Sequence, residues 1–504
     1  MRSSGNRQFW QVTVAVSILL ILCDWVSTAK AQAPVAPTTL AVQEFLREID
    51  TLKQQVRDLE LRDTQRQAWE DSITKRLPAI DDALVEERTP STEYQDAGAS
   101  PCDADQPLGS ATRSRHCGCY PCECLQPEAP CVDCPRISTL SPYFNVHVFG
   151  ALKADVLFNT ARPISPGTPY LLFPKSPQGL DETTFDTHAR QSTLGAVMTG
   201  PQIGDWQTGG TVLAMFYNDN VLADQYGFLP LLAWGELKNE DWRFAAGLQF
   251  DVFNPRLPTV LPFAGLSGSG NSGNAFRGQV RLERFFNPSE EVQWTIQTAL
   301  SEPIASTIDP LFRLLSEDNG WPNVELRVAV GLGTAGSDQL RPLEFGVSGV
   351  VGQLRSTPPA PGNRVVADVW GVGADLRWKI NEFFGVAGEG YVGQTLGSYS
   401  GGVLQTVNVD TLEGIRSAGG WLEVFCFWTP CLHSHIGYGI DDPIDRDVSL
   451  TGPVRNETYF SNLLWDVTQS VRFGFEFTWR ETAYQGVLRD NEGAGFHTQF
   501  QWSF

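Results

Sequence analysis

From residue 143 to the end, hydrophobic and polar positions alternate in segment after segment, each bounded by turn residues. In NVHVFGALKADVLF, Val146, Val148, Leu152, Ala154 and Val156 share one face, and His147, Lys153 and Asp155 the other. DWRFAAGLQFDVF sets Trp242, Phe244, Ala246, Leu248, Phe250 and Val252 against Arg243, Gln249 and Asp251. AFRGQVRLERFF, VELRVAVGL and SVRFGFEFTWR repeat the pattern, with Arg277, Arg281, Glu283, Arg327, Arg472, Glu476 and Arg480 on the polar side. A period of two predicts strands with one apolar and one polar face. The terminal GFHTQFQWSF does the same: Phe496, Phe500, Trp502 and Phe504 oppose His497, Gln499, Gln501 and Ser503.

A soluble sandwich alternates too, so the period alone does not choose between them. Here the polar face carries full charges at mid-strand, and the apolar face ends in Trp and Phe, as interfacial girdles would. The connections also have a rhythm. Sixteen strand-like segments are joined by eight long links, near 159–183, 218–228, 253–275, 301–322, 354–366, 396–416, 441–457 and 482–494. Seven short links interleave with them, and fourteen or eighteen strands would also fit. The expected fold is an all-β transmembrane barrel of sixteen antiparallel strands over residues 143–504, with both ends on the periplasmic side. Its last strand closes on its first, near Val146–Leu157, leaving no edge. The terminal aromatic is expected to be read by the outer-membrane assembly machinery.

The region before the barrel has a different texture. Arg2 and Arg7, the apolar run Val12–Cys23 and Ala29-Lys30-Ala31 read as a secretory signal over residues 1–31. Residues 32–85 follow a heptad, with Val42, Ile49, Val56, Asp63, Glu70 and Leu77 at a and Phe45, Leu52, Leu59, Arg66 and Ile73 at d. The pattern predicts an α-helical coiled coil in the periplasm, ended by Pro78, and its first heptads favour a dimer. Residues 86–142 form a Cys- and Pro-rich linker. Its Cys102, Cys117, Cys119, Cys122, Cys124, Cys131 and Cys134 are disulfide candidates, with zinc as the alternative. With Cys426 and Cys431 the mature chain has an odd number of cysteines, so one thiol is free or bonds to a neighbouring chain.

A formal charge of −21 excludes nucleic acid as a partner. No later stretch is long and apolar enough for a transmembrane helix. A sixteen-strand lumen is too wide for side chains to fill, so it is a water channel or plugged. The third long link, NPRLPTVLPFAGLSGSGNSGNA, holds Leu257, Val260, Leu261, Phe263 and Leu266, which a solvated loop would not need. It is expected to fold inward and narrow the barrel. Candidate lining and constriction residues are Arg243, Asp251, Arg256, Arg277, Arg281 and Glu283 beside it, with Lys153, Asp155, Arg327, Arg377 and Glu389. Basic groups at a narrow point draw anions even into an acidic protein. His188 and the pair His433 and His435 are the suggestive histidines, for a lipase-like or metal site, and neither carries a convincing constellation. No cofactor and no enzymatic activity are expected.

ALKADVLFN, THARQSTLG, AAGLQFDVF, TALSEPIA, VVGQLRS, GEGYVGQTLGSY and the terminal strand, in this order, resemble the DcaP-like porins. These are trimeric outer-membrane channels of dicarboxylate-uptake type, with sixteen strands and an N-terminal coiled coil. The resemblance covers about residues 144–504 and implies a homotrimer in outer-membrane lipid whose lumen favours small anionic solutes. The Cys-rich linker departs from it. A structural alternative makes the barrel an anchor whose coiled coil tethers the envelope layers.

Overall fold

The computed structural model describes residues 144–504, apart from 180–181, 219–223, 274, 304–314, 318, 337–339 and 358–364. The signal, coiled-coil and linker segments expected from the sequence lie outside the described residues.

Eighteen strands make one antiparallel sheet. They are β1 (Asn145–Asn159), β2 (Thr184–His188), β3 (Thr193–Ile203), β4 (Trp206–Tyr217), β5 (Tyr226–Lys238), β6 (Trp242–Phe250), β7 (Phe276–Ser289), β8 (Val292–Ser301), β9 (Leu315–Glu317), β10 (Asn323–Leu332), β11 (Leu343–Thr357), β12 (Val365–Lys379), β13 (Phe384–Gln394), β14 (Arg416–Thr429), β15 (Leu432–Pro443), β16 (Pro453–Asp466), β17 (Val471–Tyr484) and β18 (Asn491–Ser503). Strands β2 and β3 are two halves of one stave, since both pair with β1. The register runs from Asp155↔His188 to Ala151↔Thr193, so the broken stave holds one residue more than β1 over the same span, as at a bulge. Strand β9 is a three-residue extra piece against the end of β11. The remainder is a wall of sixteen staves, each paired with its sequence neighbours. It closes where β18 meets β1, through Phe158↔Phe496, Ala154↔Phe500 and Leu152↔Trp502. Closure pairs the backbone around the whole ring, the condition for a sheet in hydrocarbon.

The two rims differ. At one, short links turn on local chemistry: Asn239 Oδ1 accepts from Asp241 N (3.0 Å) and Trp242 N (2.8 Å), and Asn381 Oδ1 from Phe383 N and Phe384 N (both 2.8 Å). The other rim carries the longest connections, among them the links from β1 to β2, from β6 to β7 and from β13 to β14. Val324, Leu326 and Val328 stand on the exposed face of β10 while Glu325 and Arg327 between them are buried inside. Trp242, Phe286, Trp294, Phe384, Trp428, Trp465, Trp502 and Phe504 are exposed near the short-turn rim, the position of an aromatic girdle. One expected face assignment changes: Val252 is only 1% exposed. The chain leaves the wall after Phe250, so Val252 opens a loop instead of extending the outer face of β6.

Candidate functional site

Loop 3 (residues 251–275) runs around the inside of the barrel. Its backbone N–H groups, removed from water, must find acceptors, and five staves of the wall supply carboxylates. Glu325 of β10 accepts from Val252 N (2.6 Å) and Phe253 N (3.1 Å). Glu389 of β13 accepts from Arg256 N (3.1 Å), and Glu423 of β14 from Thr259 N (2.8 Å) and Oγ1 (3.1 Å). Glu476 of β17 accepts from Leu261 N (2.9 Å), and Asp441 of β15 from Gly270 N (2.9 Å). Asn462 of β16 donates to Thr259 O at 2.6 Å. Apolar contacts complete the grip. Phe253 joins Val350, Leu354, Val369, Leu396 and Tyr399, and Leu266 joins Trp421 and Phe460. Phe263 stacks between Tyr217 (6.2 Å) and Phe276 (6.0 Å). Of the five apolar residues that marked this loop in the sequence, Leu257 alone stays exposed.

Loops 1 (160–183) and 6 (395–415) also turn inward, which the sequence reading did not anticipate. Leu172 N donates to Thr482 Oγ1 (3.0 Å), Asn456 Nδ2 to Tyr170 O (3.0 Å), and Val403 N to Asp441 Oδ2 (3.0 Å). Tyr170, Leu171, Ala264, Val403 and Leu404 form one cluster in which the three loops meet. Burial of Tyr170 pushes its phenol above the usual range. Loop 6 bends through left-handed backbone at Thr395, Ser400, Val403 and Leu404, unusual for side chains with a Cβ. The signal was present: Leu171-Leu172-Phe173 and Leu396, Tyr399, Val403 and Leu404 break polar links just as loop 3 does.

The predicted lining residues fall into three groups. On β6 and β7, Arg243 pairs with Glu236 (2.5 Å) and Glu283 (3.2 Å) and lies over Trp234 (4.6 Å), while Arg281 meets Glu283 at 3.5 Å and donates to Phe250 O. At the loop 3 base, Arg277 is 2% exposed. It is held by Asp251 (2.5 Å) and Ser398 O (2.7 Å), with Tyr399 beneath its guanidinium (4.0 Å). On β10–β12, Arg327 and Arg256 share Asp375 and Glu344 at 2.6–2.9 Å. Glu389, beside them, is taken by Arg256 N and Asn271 Nδ2 (2.8 Å). Arg377, half-buried, donates to Arg341 O at 3.4 Å. Lys153 and Asp155 stand apart on β1. Asp155 accepts from His497 Nε2 (2.8 Å) and Gln499 Nε2 (2.6 Å), with His188 Nδ1 3.7 Å away. Lys153 makes no ion pair among the described residues.

Arg480, on the same inner face of β17 as Glu476, was not among the predicted site residues, and its Nε donates to Thr458 Oγ1 at 3.1 Å. His433 Nδ1 and His435 Nε2 face each other at 2.9 Å, and no group of three or more His, Cys, Asp or Glu able to hold a metal occurs among the described residues. Cys426 is a buried free thiol and Cys431 is disulfide-bonded. Cys102, Cys117, Cys119, Cys122, Cys124, Cys131 and Cys134 lie outside the described residues.

No family model matches this sequence, and no curated protein matches it. Solved structures do. The outer-membrane channel DcaP of Acinetobacter baumannii is 14% identical, with 72% of this chain and 98% of that one covered and a TM-score of 0.54. An anion-selective porin from Comamonas acidovorans (11% identical, 72% and 100% covered, TM-score 0.47) and OprB of Pseudomonas putida (10%, 71% and 94%, 0.46) are also similar. The described part of the chain therefore has the fold of the DcaP outer-membrane channel, over nearly the whole length of that protein.

Proposed function

We propose that this chain is an outer-membrane porin that passes small hydrophilic, carboxylate-bearing anions by passive diffusion, as a homotrimer. The observation that carries the reading is a closed sixteen-stave wall, greasy outside and charged inside, narrowed by an inward loop. The short turns and the start of β1 face the periplasm in this reading, with residues 32–142 on that side. Preference for anions is supported by the inward cations. Lys153, Arg243, Arg256, Arg281 and Arg377 are each only partly buried, and Lys153 has no carboxylate bound to it among the described residues. Fixed positive groups in a low-dielectric passage raise local anion concentration more than net charge lowers it. Liposome swelling tests this. Vesicles holding the protein should swell faster in succinate than in a neutral sugar of similar size; equal or slower swelling would overturn the anion preference. An impermeable vesicle would overturn the channel.

A further inference from the structure

Arg480 is 4% exposed, yet it lacks the carboxylate partner that six other inward arginines have. Arg243, Arg256, Arg277, Arg281, Arg327 and Arg472 each hold at least one carboxylate within 3.5 Å. Arg480 has one hydrogen bond, from Nε to Thr458 Oγ1 at 3.1 Å. Thr458 Oγ1 is itself 3.0 Å from Ser269 Oγ of loop 3, so the wall and the loop fix the guanidinium's near edge. Of the nearby acceptors, Glu476 Oε1 on the same face of β17 is buried without a hydrogen-bond partner and makes no contact with Arg480 within hydrogen-bond distance, and the others are occupied. Asn456 is committed to Tyr170 O, Gly268 O, Ser269 and Thr482, and Glu476 Oε2 to Leu261 N and Asn462. Among the described residues the two Nη atoms have no hydrogen-bond partner, and neither is fully sealed from solvent.

A guanidinium taken out of bulk water with no carboxylate in contact is costly, and its planar fork matches the two oxygens of a carboxylate. We infer that Arg480, beneath loops 1 and 3, is a docking subsite for a small carboxylate whose two oxygens accept from Nη1 and Nη2. The inference rests on the reading of the barrel as a carboxylate channel and deepens it: the path has a stopping point, and transport through it saturates.

The test is succinate titration of the full chain in a planar bilayer, reading interruption of the chloride current. Wild type should show a half-blocking concentration that Arg480→Gln raises about tenfold or more, the loss of a charge-assisted bidentate contact. Arg480→Lys, which keeps the charge but not the fork, should fall between them. Heat-resistant migration of each variant checks that the barrel has formed. Should Arg480→Gln fail that check, Arg480→Lys decides alone, and an unchanged half-blocking concentration overturns the subsite. The reversal potential of the wild type, read without succinate, separates the two claims. Anion preference with block indifferent to Arg480 removes the subsite and leaves the channel reading standing. Absent anion preference removes that reading, while Arg480-dependent block still upholds the subsite.

Discussion

Two sectors of the inner wall use similar charged residues for different work. From β5 to β12, carboxylates pair sideways with arginines: Glu236 and Glu283 with Arg243, Asp251 with Arg277, Asp375 and Glu344 with Arg327 and Arg256. From β13 to β17, Glu389, Glu423, Asp441 and Glu476 accept loop backbone N–H groups instead. Two residues cross the division: Glu325 of β10 serves the loop from within the arginine sector, and Asp466 of β16 pairs with Arg472 in the other. The first sector is a cross-braced mesh. The second is a row of hooks, and it determines where loop 3 lies.

The contrast breaks most easily in the mesh. Asp375→Ala strips a shared partner from Arg256 and Arg327 at once, and removing one side of a buried pair costs about 3–5 kcal/mol. Urea unfolding in detergent should show a loss of that order; a change below ~1 kcal/mol would mean the mesh is solvated. Next are the hooks. Glu423→Gln and Glu476→Gln keep shape but lose the charge, so each should weaken loop 3 by about 1–2 kcal/mol. Proteolysis of loop 3 should quicken in both while barrel unfolding hardly moves, the reverse of Asp375→Ala.

Those hooks mark the limit of what the sequence disclosed. The alternation around Val324–Val330 and Phe496–Phe504 was legible because lipid and water impose it residue by residue. The apolar residues of loop 3 betrayed an inward loop by the same logic. What was not legible was which staves would hold it. Glu423 and Glu476 lie 53 residues apart in the numbering and meet Thr259 and Leu261 only after closure. The role of Arg277 was equally hidden, since its proximity to the loop suggested a filter and its burial against Asp251 and Tyr399 depends on loop 6 arriving from elsewhere.

The smallest expected effect lies outside both sectors. In the link between β15 and β16, the Arg416 guanidinium holds the Asp447 carboxyl below its ordinary range, at 2.7 Å. A depressed acid stabilises the fold above its unfolded pKa of roughly 4 and loses that contribution as pH falls through the lower folded value. Because Arg416 is partly exposed, Asp447→Asn should cost only a few tenths of a kcal/mol at neutral pH. The gap between mutant and wild type should close below pH ~4, checked by unfolding at pH 7 and pH 3.

The proposed function requires an open passage in which the solvent-facing inner cations set the local potential. The most direct measurement is a planar-bilayer recording of the full chain across a potassium chloride gradient. Stepwise conductance with a reversal potential on the chloride side of zero is the predicted result; a silent bilayer, or a reversal potential on the potassium side, would contradict it.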